Sequence, residues 1–93
     1  VNTRVQLAEV TQSIQQAVFQ RLMLHGVTID HPAQTVIEPQ VEIEVDTVIH
    51  PFTSITGRVR IGANCEIGPH VSLIGPLVIP SGTTIGPFTH HRG

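Results

Sequence analysis

The stretch Ile49-His50-Pro51-Phe52-Thr53-Ser54-Ile55-Thr56-Gly57-Arg58-Val59-Arg60-Ile61-Gly62-Ala63-Asn64-Cys65-Glu66-Ile67 places an isoleucine at every sixth position. The step continues both ways. Ile37 and Ile43 precede it, and Leu73, Ile79 and Ile85 follow, which makes nine aliphatic residues with no insertion. Ile and Leu form about a sixth of the chain, so chance filling of nine fixed positions is on the order of one in ten million. Four residues after each aliphatic position lies Val41, Thr47, Thr53, Val59, Cys65, Val71, Leu77, Thr83 or Thr89, small or β-branched apart from Leu77. One or two residues after it stand Pro39, Pro51, Gly57, Gly62, Gly68, Pro69, Gly75, Pro80, Gly86 and Pro87, residues that form turns.

Strand geometry explains a unit of six. Side chains alternate along a strand, so the small residue and the Ile two positions later face the same side. The turn former then bends the chain. Three such units close a triangle of eighteen residues, and successive coils stack at about 4.8 Å. A helix would not repeat at six with proline inside it, and a hairpin needs a chain reversal after every strand. The spacing therefore predicts a mainly β fold, a three-sided column with an aliphatic interior. Residues 37–90 supply three full coils.

Upstream the period changes. Residues 3–25 contain no glycine or proline, and Leu7, Val10, Ile14, Ala17 or Val18, and Leu22 recur at steps of three and four. That is one apolar stripe on a helix. Thr3 followed by Gln6 fits a capping box, and Gly26 stands where a left-handed C-terminal residue is wanted. The helix has about six turns, roughly 33 Å long. The chain divides into a helical arm or linker, 1–26, and a β-helix, 27–93.

Composition excludes several classes. The chain has 93 residues, no lysine, five arginines against seven acids, and a formal charge of −2. No basic patch for nucleic acid arises from that balance. Aromatics are 3%, which excludes a core built on rings and favours stacked aliphatics. One cysteine makes no internal disulfide, and no CxxC or Cys/His metal spacing occurs. No apolar run reaches about 18 residues, the length that spans a membrane. A cytoplasmic setting is the expectation.

The hexads resemble the left-handed parallel β-helix of hexapeptide-repeat acyltransferases; the left hand is implied by that resemblance. A longer match lies in the ordered motifs. Val1-Asn2-Thr3-Arg4-Val5-Gln6-Leu7-Ala8-Glu9, then Gly26-Val27-Thr28-Ile29 with Pro32-Ala33, then Val41-Glu42-Ile43 and Asp46-Thr47-Val48-Ile49-His50-Pro51, and finally Ile85-Gly86-Pro87-Phe88 with Arg92, resemble the bifunctional N-acetylglucosamine-1-phosphate uridyltransferase/glucosamine-1-phosphate N-acetyltransferase family. The resemblance covers the arm helix and the first β-helix coils. It implies a trimeric enzyme of UDP-N-acetylglucosamine synthesis. One domain transfers uridylyl from UTP with Mg2+, and the β-helix transfers acetyl from acetyl-CoA to glucosamine 1-phosphate. By position, Asn2 matches an asparagine that helps hold nucleotide-bound magnesium, and Arg92 matches an arginine that grips the sugar phosphate. The departures are as informative. The glycine-rich nucleotide loop and the coils carrying the catalytic histidine and acetyl-CoA contacts lie outside these residues. Asp30-His31, Glu44 and His91 also differ from the family pattern. No catalytic residue is assigned, no cofactor is expected in this chain alone, and the chain alone is expected to be inactive.

Six histidines raise the alternative of a zinc site like that of gamma-type carbonic anhydrases, which needs three imidazoles converging on one ion. His50 follows an inward Ile and should point outward, His70 lies at a corner, and His90 faces another side. Exposed or turn histidines fit better. Cys65 falls in the inward small-residue column and reads as a packed thiol. Glu38, Glu42, Glu44 and Glu66 read as a solvated outer face. Three coils are near the minimum for a solenoid, and open strand edges invite pairing. A homotrimer is expected, with flanking catalytic domains and with neither nucleic acid nor membrane as partner. The other open reading is a free-standing hexapeptide-repeat assembly module or degenerate acyltransferase.

Overall fold

The computed structural model describes residues 3–93. Its elements are one helix, α1 (Arg4–Leu24), and eleven strands of two or three residues: β1 (Thr28–Ile29), β2 (Val36–Ile37), β3 (Glu42–Ile43), β4 (Val48–Ile49), β5 (Ser54–Thr56), β6 (Val59–Ile61), β7 (Glu66–Ile67), β8 (Ser72–Ile74), β9 (Leu77–Ile79), β10 (Thr84–Ile85) and β11 (His90–Arg92). Every third strand pairs, always in parallel. The three sheets run β1-β4-β7-β10, β2-β5-β8-β11 and β3-β6-β9. A parallel pair between strands eighteen residues apart is a coil stacked on a coil, so the chain is a parallel β-helix of about four turns.

The register turns the six-residue step into columns. Ile29, Ile49, Ile67 and Ile85 stack on the first sheet. Ile37, Ile55 and Leu73 stack on the second, with His91 above them, and Ile43, Ile61 and Ile79 on the third. All ten aliphatic members are buried. Burial is worth roughly 2 kcal/mol for each such side chain, and it is repeated coil after coil. The companion column is buried too: Val41, Thr47, Thr53, Val59, Cys65 and Val71, with Thr35 and Val27 below them. Threonine tolerates that interior because its hydroxyl finds a backbone carbonyl. Thr47 Oγ1 donates to Gly62 O at 2.7 Å, Thr53 to His50 O at 2.8 Å and Thr35 to His31 O at 3.0 Å.

Two features differ from the hexad reading. The column begins earlier, at Ile29, which lies eight residues before Ile37. The extra two residues are absorbed by a 3₁₀ turn at Pro32–Gln34, so the solenoid has a coil below the three marked by strict sixes. The corners also differ. Besides the expected Gly57 (φ +78°), the left-handed residue is often the third after the Ile: Asp46, Asn64 and Gly82 at one corner, Phe52, His70 and Phe88 at another.

Helix α1 opens with the expected capping box, Thr3 Oγ1 accepting from Gln6 N and Gln6 Oε1 accepting from Thr3 N. It ends at Gly26, whose φ is +88°. Only its C-terminal half meets the column. Val18, Phe19 and Leu22 are buried in the same cluster as Val27, Ile29 and Ile37, plugging the lower end of the prism. Gln15 donates from Nε2 to Ile37 O at 2.7 Å and accepts from Ile37 N at 3.0 Å. The Arg21 guanidinium donates to Pro39 O and Val41 O at 3.2 and 3.3 Å. These two side chains satisfy backbone groups that have no lower coil to pair with. Leu7, Val10 and Ile14, the first half of the expected stripe, stay exposed. A straight rod can cover a narrow prism end with only a few of its turns. Phe19 was not in that stripe, yet it fills the mouth of the column.

Candidate functional site

Arg92 lies on β11, in register with Ile74 and, one coil lower, Thr56. His90 aligns with Ser72 and Ser54, and His91 with Leu73 and Ile55. Strand alternation therefore puts His90 and Arg92 together on the outer face of the second sheet, while His91 occupies the inward column. All three are exposed. The guanidinium is open to an oxyanion, and its planar donors suit a phosphate. Asn2 falls outside the described residues.

Five threonine hydroxyls and the thiol are spent on structure. Besides the three buried threonines, Thr83 Oγ1 donates to Pro80 O at 2.6 Å and Thr89 Oγ1 to Gly86 O at 2.7 Å. Cys65 is buried, with Sγ 3.2 Å from Pro80 O. A nucleophile needs its proton aimed at a base; these protons are aimed at peptide carbonyls. Among the described residues no group of three or more His, Cys, Asp or Glu is placed to hold a metal ion. No helix among them is long and apolar enough to cross a membrane.

One titratable cluster does form, around His50, which points outward as expected but is paired rather than free. His50 Nδ1 lies 3.0 Å from Asp30 Oδ2, and His50 Nε2 lies 2.9 Å from Glu66 Oε1. Asp30 follows β1, His50 follows β4 and Glu66 starts β7, so a single ring ties three successive coils. The hydrogen bond to Glu66 is the main force raising the His50 pKa above its ordinary 6.5, with Asp30 adding to it and burial opposing it. Both nitrogens are engaged and face different carboxylates. Hence neither is free to take a substrate proton, and no common point exists for a cation. The signal in the sequence was the alignment of Ile29 with Ile49 and Ile67, which the strict step of six leaves out. Two other glutamates are also paired rather than merely solvated. Glu42 Oε2 accepts from Arg60 Nε at 2.9 Å, and Glu38 Oε1 accepts from Gly57 N at 2.6 Å.

Two grooves run along the outside. One, of about 500 Å³, lies on the third sheet, with Arg58, Arg60 and Glu42 beside Leu77 and Val78. The other, of about 440 Å³, lies on the second sheet between Ser54, Ser72 and His90 on one side and the rings of Phe52, His70 and Phe88 on the other. Those rings stack with centroids 4.9 Å apart at both steps.

A parallel solenoid of two- and three-residue strands, with an aliphatic residue at every sixth position, is a hexapeptide-repeat β-helix. The family model described as bacterial transferase hexapeptide (six repeats) matches residues 40–75. The chain is similar over 99% of its length to curated proteins called bifunctional protein GlmU. Identity is 38% to that of Fervidobacterium nodosum (strain ATCC 35602 / DSM 5306 / Rt17-B1), of which 24% is covered. It is 38% to that of Thermotoga petrophila (strain ATCC BAA-488 / DSM 13995 / JCM 10881 / RKU-1), of which 24% is covered, and 40% to that of Mycobacterium leprae (strain Br4923), of which 22% is covered. The chain thus spans about a quarter of the length of the curated relatives it matches.

Proposed function

We propose that this chain is a segment of a UDP-N-acetylglucosamine-forming enzyme, in which it joins a uridylyl-transferring domain to an acetyl-transferring β-helix and serves as the scaffold of a homotrimer in the cytoplasm. The observation that carries this reading is the similarity over 99% of the chain to proteins named as bifunctional. The seating of α1 under the first coil supports it. Gln15 and Arg21 fasten linker to column, so two flanking catalytic units would be held at a fixed spacing. In the full-length enzyme acetyl-CoA is the acetyl donor and Mg2+ accompanies the nucleotide. Arg92 is the sugar-phosphate contact of this segment, and Asn2 the magnesium-side remnant. An arginine supplies attraction for phosphate and no base, so the segment by itself performs neither transfer.

Light scattering of the purified chain at micromolar concentration is expected to give a trimer, and a monodisperse monomer overturns the scaffold role. Incubation with glucosamine 1-phosphate and acetyl-CoA, or with N-acetylglucosamine 1-phosphate, UTP and Mg2+, is expected to give no product; turnover overturns the assignment of inactivity. The flanking reading frame separates this proposal from a free-standing module, and a glycine-rich nucleotide loop upstream is the expected finding.

A further inference from the structure

The geometry points to a proton-operated clamp on the lower half of the column: His50, protonated, fastens the first coil through Asp30 and the third coil through Glu66, and releases one of them when it loses its proton. The argument begins with donor counting. A carboxylate is acceptor-only, and a neutral imidazole carries one N–H. The contacts at 3.0 and 2.9 Å are both hydrogen bonds only when both ring nitrogens are protonated. In the neutral ring, one nitrogen lone pair faces a carboxylate oxygen at that distance, and that arm must open.

The surroundings single out these two carboxylates. Asp30 and Glu66 are the charged groups facing the ring. The outward residues of the same sheet beside them, Thr28, Val48 and Thr84, are neutral. In the next coil the position above His50 is Gly68. A Cβ there would lie 3.4 Å from the His50 Cβ, so its absence leaves the ring room to reach Glu66. His70, on the corner above, is stacked between Phe52 and Phe88 and turned to them. The Asp30 arm matters most for shape. Asp30 precedes the 3₁₀ turn that absorbs the two extra residues of the first coil, and its N–H donates to Ile49 O at 3.1 Å. Opening it loosens the coil on which α1 sits.

The sign follows from linkage. The folded pKa is raised above the unfolded value of 6.5. The clamp's contribution is therefore fully present below about pH 6.5 and is lost as pH rises through the folded value.

Two-dimensional NMR titration of the full chain tests this directly. His50 is expected to titrate above the free-imidazole value, E66Q and D30N each to lower it, and E66Q to lower it more. The hydrogen-exchange protection of Asp30 N–H, corrected for the intrinsic rate, is expected to fall between pH 6 and pH 8 in the wild type and to stay level in H50Q. A wild-type His50 titrating at or below the free value overturns the clamp, whether or not any variant folds. So does an Asp30 protection profile that is the same in H50Q as in the wild type.

Discussion

The substitution Gln15→Ala tests whether the helix is part of the β-helix or merely attached to it. Gln15 is half-buried, and its amide meets both backbone groups of Ile37, donating at 2.7 Å and accepting at 3.0 Å. Ile37 lies on β2, the bottom strand of its sheet, so no lower strand can replace the amide. A typical hydrogen bond contributes about 1 kcal/mol net, and a buried group left unpaired costs about 1–3 kcal/mol. Two half-buried groups lost together should cost about 2 kcal/mol. That corresponds to roughly 10 °C in Tm for a domain of this size. Gln16→Ala is the control, because Gln16 is exposed one position along the same helix. Both substitutions gain the same few tenths of a kcal/mol in helix propensity, so their difference isolates the amide. Urea denaturation supplies the energy, and hydrogen exchange at Ile37 N–H supplies the location. Gln15→Glu sharpens the result. It keeps an acceptor for Ile37 N but turns an oxygen towards Ile37 O, so it should be worse than Ala at neutral pH and recover relative to wild type below about pH 4, where the side chain regains a donor. Equal stability of Q15A and Q16A, with Ile37 N–H equally protected in both, would refute the view that this side chain closes the sheet edge.

Two further substitutions probe the column itself. At Gly75 an added Cβ would fall on the backbone of Arg58, which is held by the bond from Leu77 N to Arg58 O; Gly75→Ala should cost about 3 kcal/mol by overpacking. Gly86→Ala, with nothing within 4 Å of the new Cβ, should be neutral within about 0.5 kcal/mol in the same denaturation experiment. Ile61, fully buried between Ile43 and Ile79, should lose about 4 kcal/mol on truncation to Ala. Ile85, which has a column neighbour only below it among the described residues, should lose about half as much.

The interior was legible because one residue type recurs where the physics repeats. Nine aliphatic positions in steps of six imply three strands per coil, and the sheets pair in that order. The first coil was not legible, because two extra residues between Ile29 and Ile37 break the step. No periodicity announces that a 3₁₀ turn can take up the slack. The helix was legible as a helix, and its cap residues were legible too. Which turns dock was not, since Leu7, Val10 and Ile14 fit a stripe as well as Leu22 does. Only the width of the prism end decides between them. Of the candidate site, Arg92 was singled out by its resemblance to a known motif. The Asp30–His50–Glu66 cluster depended on the missing coil and could not be assembled without it.

The outside of the column obeys the same eighteen-residue spacing as the inside, but through unlike partners. Glu42 meets Arg60, His50 meets Asp30 across the first extended coil, and Phe52, His70 and Phe88 stack at one corner. The corner shows why single-position rules miss such sets. Each of the three residues has a φ between +56° and +59°, a conformation that costs a side-chain-bearing residue roughly 1–2 kcal/mol. Judged singly, phenylalanine is a poor choice there. The two stacked pairs return about 0.5–1.5 kcal/mol each beyond the area they bury, so the ladder offsets up to about half of what the three residues lose together. The interacting unit at the surface of this fold is therefore a vertical set spanning coils. Replacing His70 alone breaks two stacks at once, and its effect will not add to that of replacing Phe52 or Phe88.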